Sequence, residues 1–530
     1  MHYYLYQFGS NPWSLFICTF SLLLLWGAYR ALEWGWLRPR RLDQALRKQG
    51  LCGTVYRPIV GDLKENARLN KEAYSKPMQL SHDITARVAP LLHNSLKEYG
   101  KQSFTWFGTY PRVTITDPKL VQEILSNKFG HFAKLGMPRL GQLLVGGVVT
   151  YEGEKWAKHR RILNPGFHVE KLKRLLPTFS TCCDELVERW LQSVGPDGSF
   201  EMDVWPEIQN LTGDVISRAA FGNSYEEVKR IFQHQSEQAE RIAKALSTSY
   251  NPVHLYLPTE NNKRLKKNTR EVRALIMGII AKREEAIKKG KTTEDNLLSA
   301  LLESNMREIG ENMKLNSNVG MTAEEVIEEC RLFYFAGQET TSLLVTWTMV
   351  VLSMHPEWQD KAREEVFQHF GIGRMKPDFD GLSQLKIVTM VLYEVLRLYP
   401  PVVMINRRTY KTMQLGDLTL PPGVVLGMPI LFIHHDPEIW GPNANEFKPT
   451  RFAEGISKAT KYGQLAFFPF GWGPRICIGQ NFALLEAKMA LSMILQHFRF
   501  ELSENYQHAP YNNAFTIHPQ HGALLKLYRI

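Results

Sequence analysis

The sequence predicts a mostly helical protein with a minor β part, carried on one N-terminal membrane-spanning helix. Three observations point that way: a charge-free apolar N-terminus, helical apolar spacing that dominates to about residue 400, and one short segment alternating β-branched and aromatic residues. With 530 residues, 44% of them hydrophobic and 22% charged, the chain can bury a large core after its first stretch. One large globular domain is preferred to the several that length alone would allow.

Residues 1–29 contain no Asp, Glu, Lys or Arg, and Trp13 to Tyr29 are mostly Leu, Phe, Ile, Trp and small residues. With Ala31 and Leu32 the run reaches the roughly 20 residues that cross a bilayer. Trp34 and Trp36 suit an interfacial aromatic belt, and Arg38, Arg40, Arg41, Arg47 and Lys48 follow it. That charge order puts the body of the chain on the cytosolic side. A cleaved signal peptide would carry its basic residues before the apolar run, the opposite arrangement. The division expected is an anchor at 1–37, a basic neck and hinge at 38–62 ending in Tyr56–Asp62, and the globular domain at 63–530.

The minor β part is read from Phe104 to Pro118 as an antiparallel hairpin around a Pro-containing turn. Six cysteines, Cys18, Cys52, Cys182, Cys183, Cys330 and Cys477, show no framework spacing, which fits a reducing compartment. The net charge of +11 is spread along the chain with no dense basic tract interleaved with aromatics, so nucleic acid is excluded as a partner and an anionic membrane surface or acidic protein is favoured. The Lys- and Glu-rich stretch from about 251 to 320, including Lys263–Lys267 and Lys288–Lys291, reads as solvated faces and loops without a function.

Thr322-Ala323-Glu324-Glu325 forms a capping box, and helix formers continue without proline to Met354, where His355-Pro356 stops them. Inside this long helix, Ala336-Gly337-Gln338-Glu339-Thr340-Thr341 introduces a glycine, a carboxylate and two hydroxyls. Gly337 leaves room for a flat ligand or a local widening, and Thr340 can bond back to a carbonyl and open a gap for water. An acid beside an alcohol beside water is a proton relay; the same hexapeptide is also compatible with an ordinary buried helix.

Trp156 and Arg160, four residues apart, share a helix face. Both donate hydrogen bonds and could hold one carboxylate, although the spacing equally suits a surface cation–π pair. Glu394 and Arg397 can pair at i,i+3 in a helix apolar almost all round, where both charges need partners.

Phe470 to Gly479 holds three glycines and a proline before a strong helix-forming run at 481–490. Cys477 is therefore expected in a bent loop feeding a helix N-terminus, where the amides and the dipole lower its pKa. A zinc site would want several Cys or His at short spacing, and Cys330 is far away in sequence. A single thiolate suits haem iron; the plainer alternative is a buried structural cysteine beside a turn.

Phe470, Gly473, Arg475, Cys477 and Gly479 together match Phe-x-x-Gly-x-Arg-x-Cys-x-Gly, and in this the chain resembles the cytochrome P450 haem-thiolate enzymes. The resemblance extends through the anchor, Trp-x-x-x-Arg, Ala-Gly-x-Glu-Thr-Thr and Glu-x-x-Arg, in the family's order. Finer text at Phe333–Ser342, Tyr399–Met404 and Ile433–Asp436 is similar to plant clan 72, subfamily 72A, which contains secologanin synthase and triterpenoid oxidases.

This resemblance implies the cytochrome P450 fold and a haem b whose iron is ligated by the Cys477 thiolate. It implies that Trp156, Arg160, Arg407 and Arg475 contact the haem propionates, with Arg408 the neighbouring alternative to Arg407. Phe470 and Gly479 would line the haem, Ala336 and Gly337 the oxygen pocket, and Glu339 with Thr340 would relay protons. Glu394, Arg397 and Arg451 would form a buried structural network; Thr450, where the family more often has another polar residue, is a minor departure. The implied reaction inserts one oxygen atom from O2 into a C–H bond, with electrons from NADPH through cytochrome P450 reductase, at the endoplasmic reticulum membrane. The implied substrate is a lipophilic metabolite, an oleanane-type pentacyclic triterpenoid ahead of an iridoid glucoside or a gibberellin. Specificity would lie in 129–149, 204–257, 332–336, 402–405 and 515–518. A haem-thiolate lyase or isomerase would tend to lack the acid–alcohol pair, and a haem carrier without enzymatic activity would not need it.

Overall fold

The structure is a computed structural model and describes residues 12–126, 131–136, 139–222, 225–248, 257–289, 296–312, 320–371, 375–513 and 515–530. Helix α1, Pro12–Leu32, leaves its apolar side chains exposed and belongs to a helix long and apolar enough to cross a membrane. The basic residues do not end it: a π-helical turn, Glu33–Leu37, carries it into α2, Arg38–Arg47. Much of the expected neck is thus helical, because Leu42 and Leu46 give α2 an apolar face buried on the body. The segment read as a hinge is bonded at both ends. Tyr56 OH donates to Gly35 O (2.6 Å) and packs on Trp106, while Asp62 accepts from the Trp106 amide at 2.7 Å.

A six-stranded sheet flanks the helical body. Its strands are β1 Cys52–Gly53, β2 Ser103–Phe107, β3 Tyr110–Thr114, β4 Phe132–Lys134, β6 Ile405–Thr409 and β7 Val425–Met428, in the order β1-β2-β3-β7-β6-β4. The β2–β3 hairpin forms where the alternation predicts it, but its turn is Gly108-Thr109. Gly108 takes φ 61°, which glycine tolerates, and Pro111 lies inside β3 opposite Trp106, so the turn is not the proline one expected. A second sheet joins β5 Ser199–Asp203, β8 Phe498–Leu502 and β11 Leu524–Arg529; a small hairpin pairs β9 Pro510–Asn512 with β10 Ile517–Pro519.

The helices that build the body are α3 Gly153–Leu163, α4 Val169–Gln192, α5 Val204–Phe221, α6 Tyr225–Thr248, α7 Glu260–Lys288, α8 Leu297–Asn312, α9 Ala323–Met354, α10 Lys386–Leu398 and α11 Gln480–His497. Helix α9 is the axis, packed along α5 and against α10 and α11. Its capping box is present: Thr322 Oγ1 accepts from the Glu325 amide (3.2 Å), and Glu325 accepts from the Thr322 amide (2.9 Å). Such a cap stabilises a helix by about 1 kcal/mol, whereas burying each large apolar side chain contributes roughly 1.5–3 kcal/mol, so packing dominates. Trp347, stacked on Tyr399 with centroids 4.6 Å apart, is one of these.

The Lys- and Glu-rich stretch forms the outer faces of α7 and α8. Leu265 is fully buried, and Arg264 donates to Glu237 of α6 (2.8 Å). Residues 251–256, 290–295 and 313–319 of that stretch lie outside the described residues, as do 129–130, 137–138, 223–224 and 249–256 of the segments expected to govern specificity.

Candidate active site

The cysteine loop is shaped by its backbone. The Cys477 amide donates to Phe470 O at 2.9 Å, closing the loop, and Gly479 caps α11. Gly473 is the constrained glycine: its φ is +71°, and a Cβ there would lie 2.4 Å from Leu125 O. Cys477 is accessible to solvent although protein surrounds it. Burial pushes the Cys477 thiol up; the Gly479 N–H and the Arg160 guanidinium pull it down by less. This corrects the expected lowering by the helix terminus: desolvation outweighs the local dipole.

Helix α9 is less deeply buried at its centre than on either side. Residues 335–340 are all half-buried between stretches of mostly buried residues at 326–334 and 341–352. Phe167 ties this helix to the cysteine loop, its ring 5.6 Å from Phe333 and its edge 3.9 Å from where a Cβ on Gly479 would lie. Thr340 Oγ1 donates to Ala336 O at 2.8 Å, the back-bond expected. Gly337 serves helix packing: its Cβ direction meets Ile216 of α5 at 2.9 Å, and the flat-ligand reading of its missing side chain is corrected accordingly.

Glu339 does not reach for Thr340. Its Oε1 accepts from Thr516 Oγ1 (3.0 Å) and lies 2.6 Å from His518 Nε2. Burial raises the Glu339 carboxyl, but the bonds from His518 and Thr516 and the charge of His518 outweigh it and hold the carboxyl below its ordinary value.

The expected anion contacts sort differently from their spacing. Arg475 sits over the Trp156 ring (4.4 Å) and donates to Tyr151 O and Glu152 Oε2. Arg160 instead donates to Asn164 Oδ1 and to Ile476 O in the cysteine loop, at 2.9 and 2.8 Å, so Trp156 and Arg160 are not a cation–π pair. Strand alternation separates Arg407 from Arg408: Arg407 is buried, whereas Arg408 lies over Tyr110. Lys134, opposite Arg407 in the β4–β6 register, completes a group of four cations. Burial and the charges of Arg475 and Arg407 push Lys134 down to about 7, and burial and Arg475 push Arg407 down to about 10; Glu152 is the carboxylate that opposes both shifts.

Four buried or half-buried cations facing one carboxylate suit a ligand bearing two carboxylates beside the sulfur, which is the donor set a haem requires. No group of three or more His, Cys, Asp or Glu side chains able to hold a metal ion occurs among the described residues. Glu152 was not visible as a site residue in the sequence, and Lys134, Thr516 and His518 fell only within the segments 129–149 and 515–518 expected to govern specificity.

The buried network forms as predicted. Glu394 and Arg397, both fully buried, pair through two bonds (2.7 and 2.8 Å), and Arg451 Nε reaches Glu394 Oε1 at 3.3 Å. Arg397 also donates to the carbonyls of His434, Ala444 and Glu446, and Arg451 to Trp440 O and to Asn443. These bonds hold the stretch 434–451 that precedes the cysteine loop.

A family model described as Cytochrome P450 matches residues 79–525. Cytochrome P450 CYP72A616 of Paris polyphylla is 60% identical over 507 residues, 95% of this chain and 96% of that protein. Cytochrome P450 72A397 of Kalopanax septemlobus is 52% identical over 504 residues, 95% of each chain, and cytochrome P450 72A15 of Arabidopsis thaliana is 51% identical over 518, 98% of this chain and 99% of that protein. Agreement of that depth along almost the entire length means that this chain belongs to the cytochrome P450 family, in its plant 72A group, and is a haem-thiolate monooxygenase supplied with electrons from NADPH through a reductase.

Proposed function

We propose that this monooxygenase oxidises a lipophilic plant metabolite, an oleanane-type pentacyclic triterpenoid, at the endoplasmic reticulum membrane with residues 63–530 as its catalytic domain in the cytosol. The observation that carries the reading is the half-buried window at 335–340 in the middle of α9, with the Phe335 and Phe515 rings 6.1 Å apart beside it. Apolar rings beside a few polar groups suit a rigid hydrocarbon skeleton bearing few oxygens, and a membrane-spanning helix keeps the site near the lipid in which such a substrate dissolves. An iridoid glucoside or a gibberellin is the second reading.

Bound haem supplies the oxygen chemistry, insertion of one oxygen atom from O2 into a C–H bond. In this reading Cys477 would ligate the iron, and Trp156, Arg160, Arg407 and Arg475, joined by Lys134, would hold the propionates. Phe470 and Gly479 would line the haem. Ala336 and Gly337 border the oxygen pocket. Glu339 and Thr340 bring the proton in, and Glu394, Arg397 and Arg451 keep the loop in place.

Microsomes from cells co-expressing the chain and a plant reductase, fed oleanolic acid, β-amyrin, loganin or a gibberellin with NADPH, test the substrate by mass spectrometry of products. A hydroxylated or carboxylated triterpenoid is the expected result. Turnover of loganin or the gibberellin alone would overturn the substrate class and leave the monooxygenase chemistry intact.

A further inference from the structure

Glu339 sits in a closed polar triangle. Its Oε1, Thr516 Oγ1 and His518 Nε2 lie 2.6, 2.8 and 3.0 Å from one another. Thr516 and His518 belong to the β9–β10 hairpin, far along the chain from α9, and each is about 95% buried. The groups around the triangle are few. Trp205 of α5 stands edge-on to the His518 ring (5.1 Å), Tyr511 of β9 lies 5.8 Å from it, and Gln209 of α5 also bonds Glu339. Of these only Glu339, His518 and Tyr511 titrate, and burial pushes Tyr511 up, with Glu339 and Glu240 adding to the effect. Thr340, the next residue of α9, gives its hydroxyl to Ala336. The acid and the alcohol of the relay are therefore adjacent in sequence and joined by no direct bond.

We propose that His518 and Thr516 are positioning residues for Glu339, and that His518 is the group from which Glu339 draws its proton. This rests on the reading of Glu339 and Thr340 as the relay. The step moves one proton: the Nε2–H bond of the imidazolium breaks, an O–H bond forms on Glu339 Oε1, and the ion pair becomes a neutral imidazole beside a neutral acid. Loss of both charges removes most of the attraction holding the side chain on the hairpin. The acid is then free to turn towards Thr340 and deliver its proton there, after which the carboxylate returns and His518 takes a proton from water. Because Phe515 precedes Thr516 and packs on Phe335, one turn before Glu339, a substrate that moves the Phe515 ring also moves the triangle.

The test uses full-length haem-loaded protein with reductase, comparing His518→Phe, His518→Gln, Glu339→Gln and Thr340→Ala, each accepted only with an intact thiolate-type carbon monoxide spectrum. Two readouts are taken: the share of NADPH recovered as hydrogen peroxide from pH 6 to 8.5 with oleanolic acid present, and hydrogen–deuterium exchange of residues 333–342 in the resting protein without NADPH. His518→Phe is expected to raise the peroxide share several-fold, to add nothing on top of Glu339→Gln, and to speed exchange in 333–342. His518→Gln, which keeps a hydrogen-bond donor and loses the proton, is expected to raise peroxide while leaving exchange slow. If Glu339→Gln and Thr340→Ala raise peroxide while both His518 variants behave like the parent, the His518 assignment is overturned and the relay stands. Unchanged coupling in Glu339→Gln and Thr340→Ala would overturn the relay itself.

Discussion

The ring of His434 accepts a hydrogen bond from the Phe468 amide at 3.3 Å, while the backbone carbonyl of the same residue takes one from Arg397 at 2.7 Å. One fully buried histidine thus connects the Glu394–Arg397–Arg451 network to the start of the cysteine loop. Burial and the Arg397 charge hold His434 neutral, which keeps the ring nitrogen available as an acceptor. Replacing His434 by Phe preserves the stacking on Phe467 and removes the acceptor. The expected outcome is a folded protein with a smaller fraction of thiolate-type carbon monoxide spectrum. Arg397→Ala, which strands a buried carboxylate, is expected to cost about 3–5 kcal/mol and to abolish folded yield.

Two glycines of the loop differ in what a methyl group would meet. Gly473→Ala combines a left-handed backbone with a 2.4 Å clash against Leu125 O, whereas at Gly471 the nearest atom would be Ile405 Cδ1 at 3.8 Å, an ordinary contact. The strained backbone alone costs about 1–2 kcal/mol per residue. Gly473→Ala should therefore lower the urea midpoint and haem retention distinctly more than Gly471→Ala; equal effects would place the constraint in backbone conformation alone.

Cys477→Ser should abolish the thiolate-type spectrum while leaving far-UV dichroism unchanged, and a variant that kept the spectrum would refute the ligand assignment. Thr340→Ala, whose hydroxyl makes a local bond only, should unfold like the parent and consume NADPH without matching product. Product formation in step with NADPH would remove Thr340 from the relay.

Acid stability follows from a buried histidine chain away from the site. Burial and the neighbouring His355 hold His82 at about 3, burial and Arg397 hold His435 at about 4, and burial holds His508 at about 4. An unfolded histidine titrates near 6.5. Below about pH 6.5 the unfolded chain takes up protons that the folded chain refuses, so stability present above that pH is lost as pH falls towards 4. Over the first pH unit below 6.5, where the unfolded imidazole is only partly protonated, each group contributes about 1 kcal/mol, so the three together remove on the order of 3 kcal/mol between pH 6.5 and 5.5, a large part of a typical domain's stability. Urea midpoints at these two pH values should differ accordingly, and His508→Gln should shrink the difference.

Local pattern carried the long helix and the loop. The capping box at Thr322, the proline at 356 and the glycines around Cys477 act within a few residues of themselves, and the structure places the elements where those signals predict. Pairings between distant strands were beyond such signals. Lys134 joins Arg407 only through the β4–β6 register, and His518 meets Glu339 across 179 residues of chain that fold back through the C-terminal hairpin. The hairpin turn was misplaced because Pro111 is a conspicuous turn residue, whereas the reversal needs the positive φ that Gly108 supplies. The thiol's direction was missed because a helix terminus is legible in sequence and the depth of burial is not.

The joint at Gly35, where a π-helical turn meets the Tyr56 hydroxyl, clamps the helix to the body. Helix runs without a break from the apolar segment to Arg47, so the setting of that segment against the body is fixed by residue count rather than by a swivel. Each residue of an α-helix turns the chain by about 100°. One alanine inserted between Leu32 and Gly35 would leave every catalytic side chain untouched and still turn the apolar segment by about 100° about its own axis relative to the body.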